Sequence, residues 1–260
     1  MAMPAPILPR QPAELRTYQT HDIDEQAALL RGWNQTYNQI SGGTFSGELS
    51  EAEVGGLYLF REKTSKSLYQ VGALPAGRVA VGLPLTLPGA AKFCGQACDG
   101  TQAHIFSGAN GFEFQTPNGL DMAGLVISEA ILRAVMLDDE LEAISRQVQS
   151  ARLKGMNSIA RNRLRRLLIG AIETLQADNG YAAAPRLSKV FAADAARATI
   201  ECLGYDGSDQ PLTLTETRCR TIVREAQRLA LDSPNENLTI EDICRTLEIS
   251  RRTLQTCFQR

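Results

Sequence analysis

The sequence predicts an α+β protein: a small β-sandwich or β-barrel with flanking helices, followed by an all-α end. Three observations predict it. Between about residues 44 and 127, short apolar or alternating runs are separated by Gly, Pro and Asn, as in a sandwich or barrel. Over 128–203 the apolar positions change to helical spacing. A linker-like segment, GYDGSDQPL (204–212), then precedes a last helical stretch.

Taken in order, residues 1–20 read as a loose lead-in. Residues 22–40 read as a helix, because Ile23, Ala27, Leu30, Trp33 and Tyr37 recur at helical spacing, and SGGTFSG ends it. Strand-like runs follow: VGGLYLF, SLYQVGAL, RVAVGLPL, AAKFCG, AHIF, GFEFQT and LDMAGLVI. Ser128 is the expected N-cap of EAILRAVM. Over 158–176, Ile159, Leu164, Leu167, Leu168, Ala171, Ile172 and Leu175 form an amphipathic stripe, and 187–203 is a further helix. After the linker come a helix at about 214–231, a turn at DSPNEN, and short helices at 239–247 and 250–260. The expected domains are therefore 1–203 and 214–260, joined by 204–213.

Composition narrows the function classes. Of the 260 residues, 43% are hydrophobic, and the net charge is −2, so bulk charge does not advertise nucleic acid. The six cysteines have neither zinc-ribbon nor CxxC spacing. The N-terminal MAMPAPILPRQPAEL lacks signal-peptide order, and no apolar run approaches the roughly 18–20 residues of a membrane span. A reducing cytoplasm with free, mostly buried thiols is the expectation.

An enzyme is not expected. The two histidines, His21 and His104, are far apart, and no HxH, HExxH, GxSxG, P-loop or Rossmann motif occurs. No catalytic residue, metal or cofactor is assigned, and His104 reads as a partly buried, hydrogen-bonded side chain.

The end of the chain, LTIEDICRTLEISRRTLQTCFQR (238–260), reads as a helix-turn-helix. Ile240, Ile243, Cys244 and Leu247 give the first helix an apolar face, and Thr239 caps it. Ile249 plugs the turn, and Ser250 caps the second helix. Leu254, Cys257 and Phe258 form its expected buried face, while Arg251, Arg252, Gln255, Thr256 and Gln259 lie opposite. Arg suits a guanine edge or a phosphate, Gln suits adenine, and Thr suits a thymine methyl or a phosphate. Residues 251–260 hold three arginines and no acid, so the positive charge is local.

These residues resemble the first helix-turn-helix of AraC/XylS-type transcription regulators, most specifically at Leu247, Ile249, Ser250, Leu254 and Phe258. The resemblance implies that Arg252, Gln255 and Thr256 face DNA bases and that Arg251 faces phosphate. WNQTYNQISGGTFSGEL (33–49), LFREKT (59–64) and LVISEAIL (125–132) are similar to the ethanolamine-utilisation regulator branch. That likeness implies a cytoplasmic activator of a catabolic operon, whose partners are a DNA operator, RNA polymerase and a second copy of the chain. It also implies a cupin-like barrel that senses a small molecule, such as an amine or amino alcohol, and a helical dimerisation segment at 128–203. Family members carry two helix-turn-helix units. The expectation is therefore that this chain stops within the first.

Candidate pocket residues are Trp33, Tyr37, Tyr58, Phe60, Tyr69 and Phe112, with Phe45, Phe93, Phe106 and Phe114 as further aromatics. An amine would want an acid or an aromatic face. Glu48, Glu51, Glu62 and Glu113 are the acids in strand-like runs, and Glu62 reads as strand-end charge in water. Residues 143–172 hold Arg146, Arg152, Lys154, Arg161, Arg163, Arg165 and Arg166 without an acid. They read as the solvated face of a helix, with a phosphate-facing strip as the alternative. Two other functions remain: a small-molecule-binding dimerisation module without competent DNA binding, and a cupin-type enzyme.

Overall fold

Side chains alternate along a strand, so a sheet can bury two different apolar faces at once. The first unit is built on that property. A computed structural model describes residues 14–107, 110–135, 152–156, 158–177, 185–203, 214–232 and 238–259. The chain divides into two units, Met1–Tyr205 and Asp206–Arg260.

The strands of the first unit are β1 (Arg16–Thr20), β2 (Asn34–Gln39), β3 (Gly47–Val54), β4 (Leu57–Thr64), β5 (Leu68–Ala73) and β6 (Arg78–Thr86). They continue as β7 (Ala91–Phe93), β8 (Gln96–Cys98), β9 (Ala103–Ser107), β10 (Phe112–Gln115), β11 (Leu120–Ser128) and β12 (Arg152–Lys154). Its described helices are α1 (Ile23–Leu29), α2 (Glu129–Val135), α3 (Ser158–Ala177) and α4 (Pro185–Leu203).

The strands form two antiparallel sheets: a larger one, ordered β1-β3-β4-β11-β6-β9-β12, and a smaller one, ordered β2-β5-β10-β7-β8. The expected closed barrel is thus corrected to two open sheets. The larger sheet ends on β1 and β12, the smaller on β2 and β8.

One face of the larger sheet carries Leu57, Leu59, Val81, Ile105, Leu125 and Ile127, packed with Leu164 and Leu168 of α3 and Ala195 and Ala196 of α4. The other face carries Leu49, Phe60, Phe106, Met122 and Val126, packed with Phe112 and Phe114 of the smaller sheet. Of the stripe of α3, Leu164, Leu168, Ile172 and Leu175 are buried, whereas Ile159 is 79% exposed and does not join it. The hairpin β3–β4 turns through Gly55 and Gly56, both at positive φ (61° and 89°), as a two-residue turn between paired Val54 and Leu57 requires. A Cβ on Gly55 would also strike the Ser188 carbonyl of α4, so this glycine lets helix and hairpin meet.

Four other expectations change. The helix over 22–40 is only α1. Asp22 caps it, accepting from the backbone N–H groups of Asp24 and Glu25 at 2.8 and 2.9 Å. Leu30 is already extended, Gly32 sits at φ 75°, and NQTYNQ becomes β2, paired with β5. Trp33 and Tyr37 thus leave the helix. Helical spacing there coincided with a run that strand pairing claims. Within the lead-in, residues 16–20 form an edge strand. The run VGGLYLF straddles the β3–β4 turn. The helical stretch 128–203 contains a strand, β12, and its Lys154 is only 2% exposed. Ser128 does cap α2, accepting from the Ile131 N–H at 3.4 Å. The linker 204–213, Arg146 and residues 233–237 of the DSPNEN turn lie outside the described residues.

The second unit holds α5 (Leu214–Asp232), α6 (Ile240–Thr246) and α7 (Arg251–Gln259) around a small core of Cys219, Ile222, Ala226, Leu254 and Cys257. None of the six cysteines is in a disulfide, and five of them are buried. No described helix is long and apolar enough to cross a membrane.

Candidate functional site

Two regions gather the candidate residues. The first is the helix-turn-helix of the second unit. Thr239 and Asp242 form a capping box at the start of α6, with the Thr239 N–H donating to Asp242 Oδ2 at 3.1 Å and the Asp242 N–H returning to Thr239 Oγ1 at 3.2 Å. The Thr239 hydroxyl, which donates to Asp242 Oδ2 at 2.6 Å, and the Thr239 N–H hold the Asp242 carboxyl below the usual range. The turn passes through Glu248 in the left-handed region (φ 52°), and Ile249 packs against the core as the plug. Ser250 caps α7, its hydroxyl accepting from the Thr253 N–H at 3.0 Å.

On α7, Leu254 and Cys257 point into the core, and Arg251, Arg252, Gln255, Thr256 and Gln259 are exposed. The Thr256 hydroxyl donates back to the Arg252 carbonyl at 2.9 Å. Two apolar expectations fail. Phe258 is 53% exposed and Ile240 is 47% exposed. Phe258 follows Cys257 by roughly 100° around the helix and falls on the rim between Leu254 and Gln255.

The second region is the layer between the two sheets. Trp33 meets Phe60, Phe106 and Phe112 edge-on, at ring-centre distances of 5.7, 5.0 and 5.6 Å. Phe93 joins Phe106 and Phe114, and Tyr58 stacks on Phe60. Of the candidate pocket residues, Trp33, Tyr58, Phe60 and Phe112 are thus brought together. Tyr37 belongs to a neighbouring cluster with Phe45 and Leu68. Tyr69 alternates with buried Leu68 and Gln70 and so lies on the other face of β5.

Two acids join this inner face. Glu51, on β3, accepts from the Tyr58 hydroxyl at 2.5 Å and pairs with Arg31 at 2.9 Å. Glu62 is 5% exposed and accepts from Gln26 and from the Tyr37 hydroxyl, both at 3.0 Å. The strand-end reading of Glu62 is therefore overturned. Tyr58, Phe60 and Glu62 alternate onto one face of β4, and that register, not exposure, sets its environment. Burial pushes the Glu62 carboxyl up, and its two donors offset part of the rise. Glu48 instead pairs with Lys63 at 2.7 Å, and Glu113 lies between inward Phe112 and Phe114, on the outer face.

His104 differs from its expectation too. It is fully buried against Phe93 and Phe114, and neither ring nitrogen has a hydrogen-bond partner. Burial pulls it down to about 3, so the ring is neutral. The Trp33 indole N–H is likewise buried without a partner. His21 is exposed, and no three His, Cys, Asp or Glu side chains gather to hold a metal among the described residues. Of the basic run, Arg163, Arg165 and Arg166 of α3 sit on a solvated face, whereas Arg161 is half-buried and Lys154 of β12 is buried. Arg163 pairs with Glu201 at 2.7 Å, Arg165 and Arg166 are exposed, and Arg161 donates to the Gly100 carbonyl.

Comparison with solved structures sets this arrangement beside a known one. The crystal structure of the AraC-like transcriptional activator CuxR superposes with a TM-score of 0.54, over 94% of this chain and 89% of that one. The chain shares the fold of an AraC-like activator. Sequence identity to CuxR is 17% over the match, so the likeness carries the architecture. No protein-family model matches the chain.

The sequence missed Arg31, Tyr18 and Gln26, the partners that fix Glu51 and Glu62. Tyr18 approaches Glu51 at 3.5 Å, and the Thr20 hydroxyl orients Gln26 at 2.7 Å. Strand pairing brings Tyr18 to Glu51, and the placement of α1 and the loop after it brings in Gln26 and Arg31; no local spacing signals either.

Proposed function

We propose that the chain is a ligand-responsive, DNA-binding transcription regulator of the AraC type. The observation that carries this reading is α7. A capped helix with an apolar inner side turns Arg251, Arg252, Gln255 and Thr256 outward together. Arg251 meets phosphate at the helix start, and Arg252, Gln255 and Thr256 meet base edges in the major groove. The likeness to CuxR supports the reading at the level of fold.

In the same proposal, the layer between the sheets of the first unit senses a small molecule, an amine or amino alcohol. Buried Glu51 and Glu62 beside Trp33, Tyr58 and Phe60 support it, since a buried cation needs a carboxylate or an aromatic face. The regulator is then a cytoplasmic homodimeric activator of a catabolic operon, acting on RNA polymerase.

The test is binding to operator fragments by fluorescence anisotropy across a salt series. The expected result is sequence-selective binding that the double substitution Arg252→Ala with Gln255→Ala lowers to the non-specific range, roughly 10⁻⁴–10⁻⁶ M. Unchanged operator affinity in that double variant overturns the assignment. A thermal-shift screen with amines, alcohols and amino alcohols tests the sensor, since a ligand of the folded state raises Tm.

A further inference from the structure

We propose that Cys219 and Cys257 are a modification site: an oxidisable dithiol that closes to a disulfide and fastens α7 to α5. The chemistry is independent of whether α7 reads DNA.

The geometry carries it. The Cys257 thiol points at the Cys219 sulfur across 2.7 Å. That is well under 1 Å beyond the length of a disulfide, about 2.05 Å. The two residues are 38 positions apart and sit on different helices, so packing and not local sequence juxtaposes them. Both are buried, at 9% and 5% exposure, in a core whose other members are Ile222, Ala226 and Leu254. A structural thiol in this chain looks different. Cys202 donates to the Ala160 carbonyl at 3.8 Å, and burial pushes it up to about 12.

The position also matters mechanically. No residue of α6 is buried, and α7 is anchored by only two, Leu254 and Cys257. A covalent bond at Cys257 fixes one of the two anchors, on the side of α7 opposite Gln255 and Gln259.

The oxidant is a hydroperoxide, small enough to enter when α7 opens locally. One thiol gives up its proton, and its sulfur attacks a peroxide oxygen. The O–O bond breaks, and the leaving oxygen takes the proton. The other sulfur then displaces the S–OH oxygen: the S–S bond forms, the S–O bond breaks, and water leaves with the second thiol proton. Two thiols and one hydrogen peroxide thus give one disulfide and two waters. A low-molecular-weight thiol reverses the step by exchange.

The test exposes the intact chain to hydrogen peroxide, blocks remaining thiols with N-ethylmaleimide, and maps the peptides. The expected result is a mass loss of about 2 Da and a single linked peptide pair containing Cys219 and Cys257, both reversed by dithiothreitol. Cys219→Ala abolishes the link, and Cys244→Ser, in the neighbouring helix, leaves it in place. Amide exchange over 251–259 slows by about tenfold or more on oxidation. Persistence of all six thiols overturns the proposal, as does oxygen addition without a link, a link to Cys244, or unchanged exchange in the linked form. The link is read in the unaltered chain, so a variant that fails to fold does not decide the outcome.

Discussion

The Tyr37 hydroxyl donates to Glu62 Oε1 at 3.0 Å, and both side chains are buried, at 3% and 5% exposure. Gln26 donates to the same oxygen at 3.0 Å. Among the described residues this acid has two neutral donors and no cation, and burial raises its pKa. Its contribution to stability is therefore full below the unfolded carboxylate value and is lost as pH rises through the folded one. Glu62→Gln keeps the accepting Oε1 and removes the charge. The variant is expected to be more stable than the parent at neutral pH and to lose this fall in stability with rising pH. Urea midpoints collected from acid to neutral pH check it; an unchanged pH profile contradicts it.

His104 acts in the opposite sense. Burial holds its imidazole at about 3, below its ordinary value of 6.5. Stability from this group is full above the unfolded value and is lost as pH falls from 6.5 towards 3. His104→Leu removes two unpartnered buried nitrogens as well as the titration. The expected result is a gain of about 1 kcal/mol at neutral pH and a flatter acid limb in thermal melts. An acid limb as steep as the parent's sinks the account.

Gly124 of β11 faces Gly82 of β6 in the middle of the larger sheet. A Cβ on Gly124 would stand 2.5 Å from Phe60 Cζ and 2.7 Å from the Val81 carbonyl oxygen. The second neighbour is sheet backbone and has nowhere to go. Gly124→Ala is expected to cost about 1–3 kcal/mol. Gly170, inside α3, has nothing within 4 Å of its added Cβ, and Gly170→Ala is expected to gain about 0.5–1 kcal/mol. Denaturant unfolding of the pair decides; two changes of the same sign contradict it.

Ser250 holds the first turn of α7 through its hydroxyl, which accepts from the Thr253 N–H. Ser250→Ala is expected to destabilise the second unit by about 1 kcal/mol and leave the first unit unchanged. Segment-resolved hydrogen exchange separates the two, and equal protection loss in both units counts against the assignment.

The helix-turn-helix was the most legible part of the chain. Its signals are local: a Thr cap with Asp three residues on, an apolar plug at Ile249, a Ser cap and two facing residue sets. Local backbone donors and a period of 3.6 fix such features within a few residues of sequence. Apart from β8 and β12, the strands after residue 67 were legible for the same reason, since alternation and turn residues mark them. Phe258 was misread because periodicity places it near the apolar side but does not say how wide the core is.

Apart from α1, the first forty residues were not legible, because Trp33 and Tyr37 satisfy a helical period and a strand period alike. Pairing with β5 decided between them. By itself, then, the sequence determined the element types that carry their own signals, the capped helices of the second unit and the outward set Arg251, Arg252, Gln255 and Thr256. Tertiary structure alone decided that two open sheets form in place of a barrel. It also decided that Glu62 is buried, that His104 lacks partners, and that Cys219 meets Cys257. Each of these depends on which distant strand or helix supplies the neighbour. Burial and hydrogen bonding are properties of that neighbourhood, and residues 38 positions apart have no local pattern that announces it.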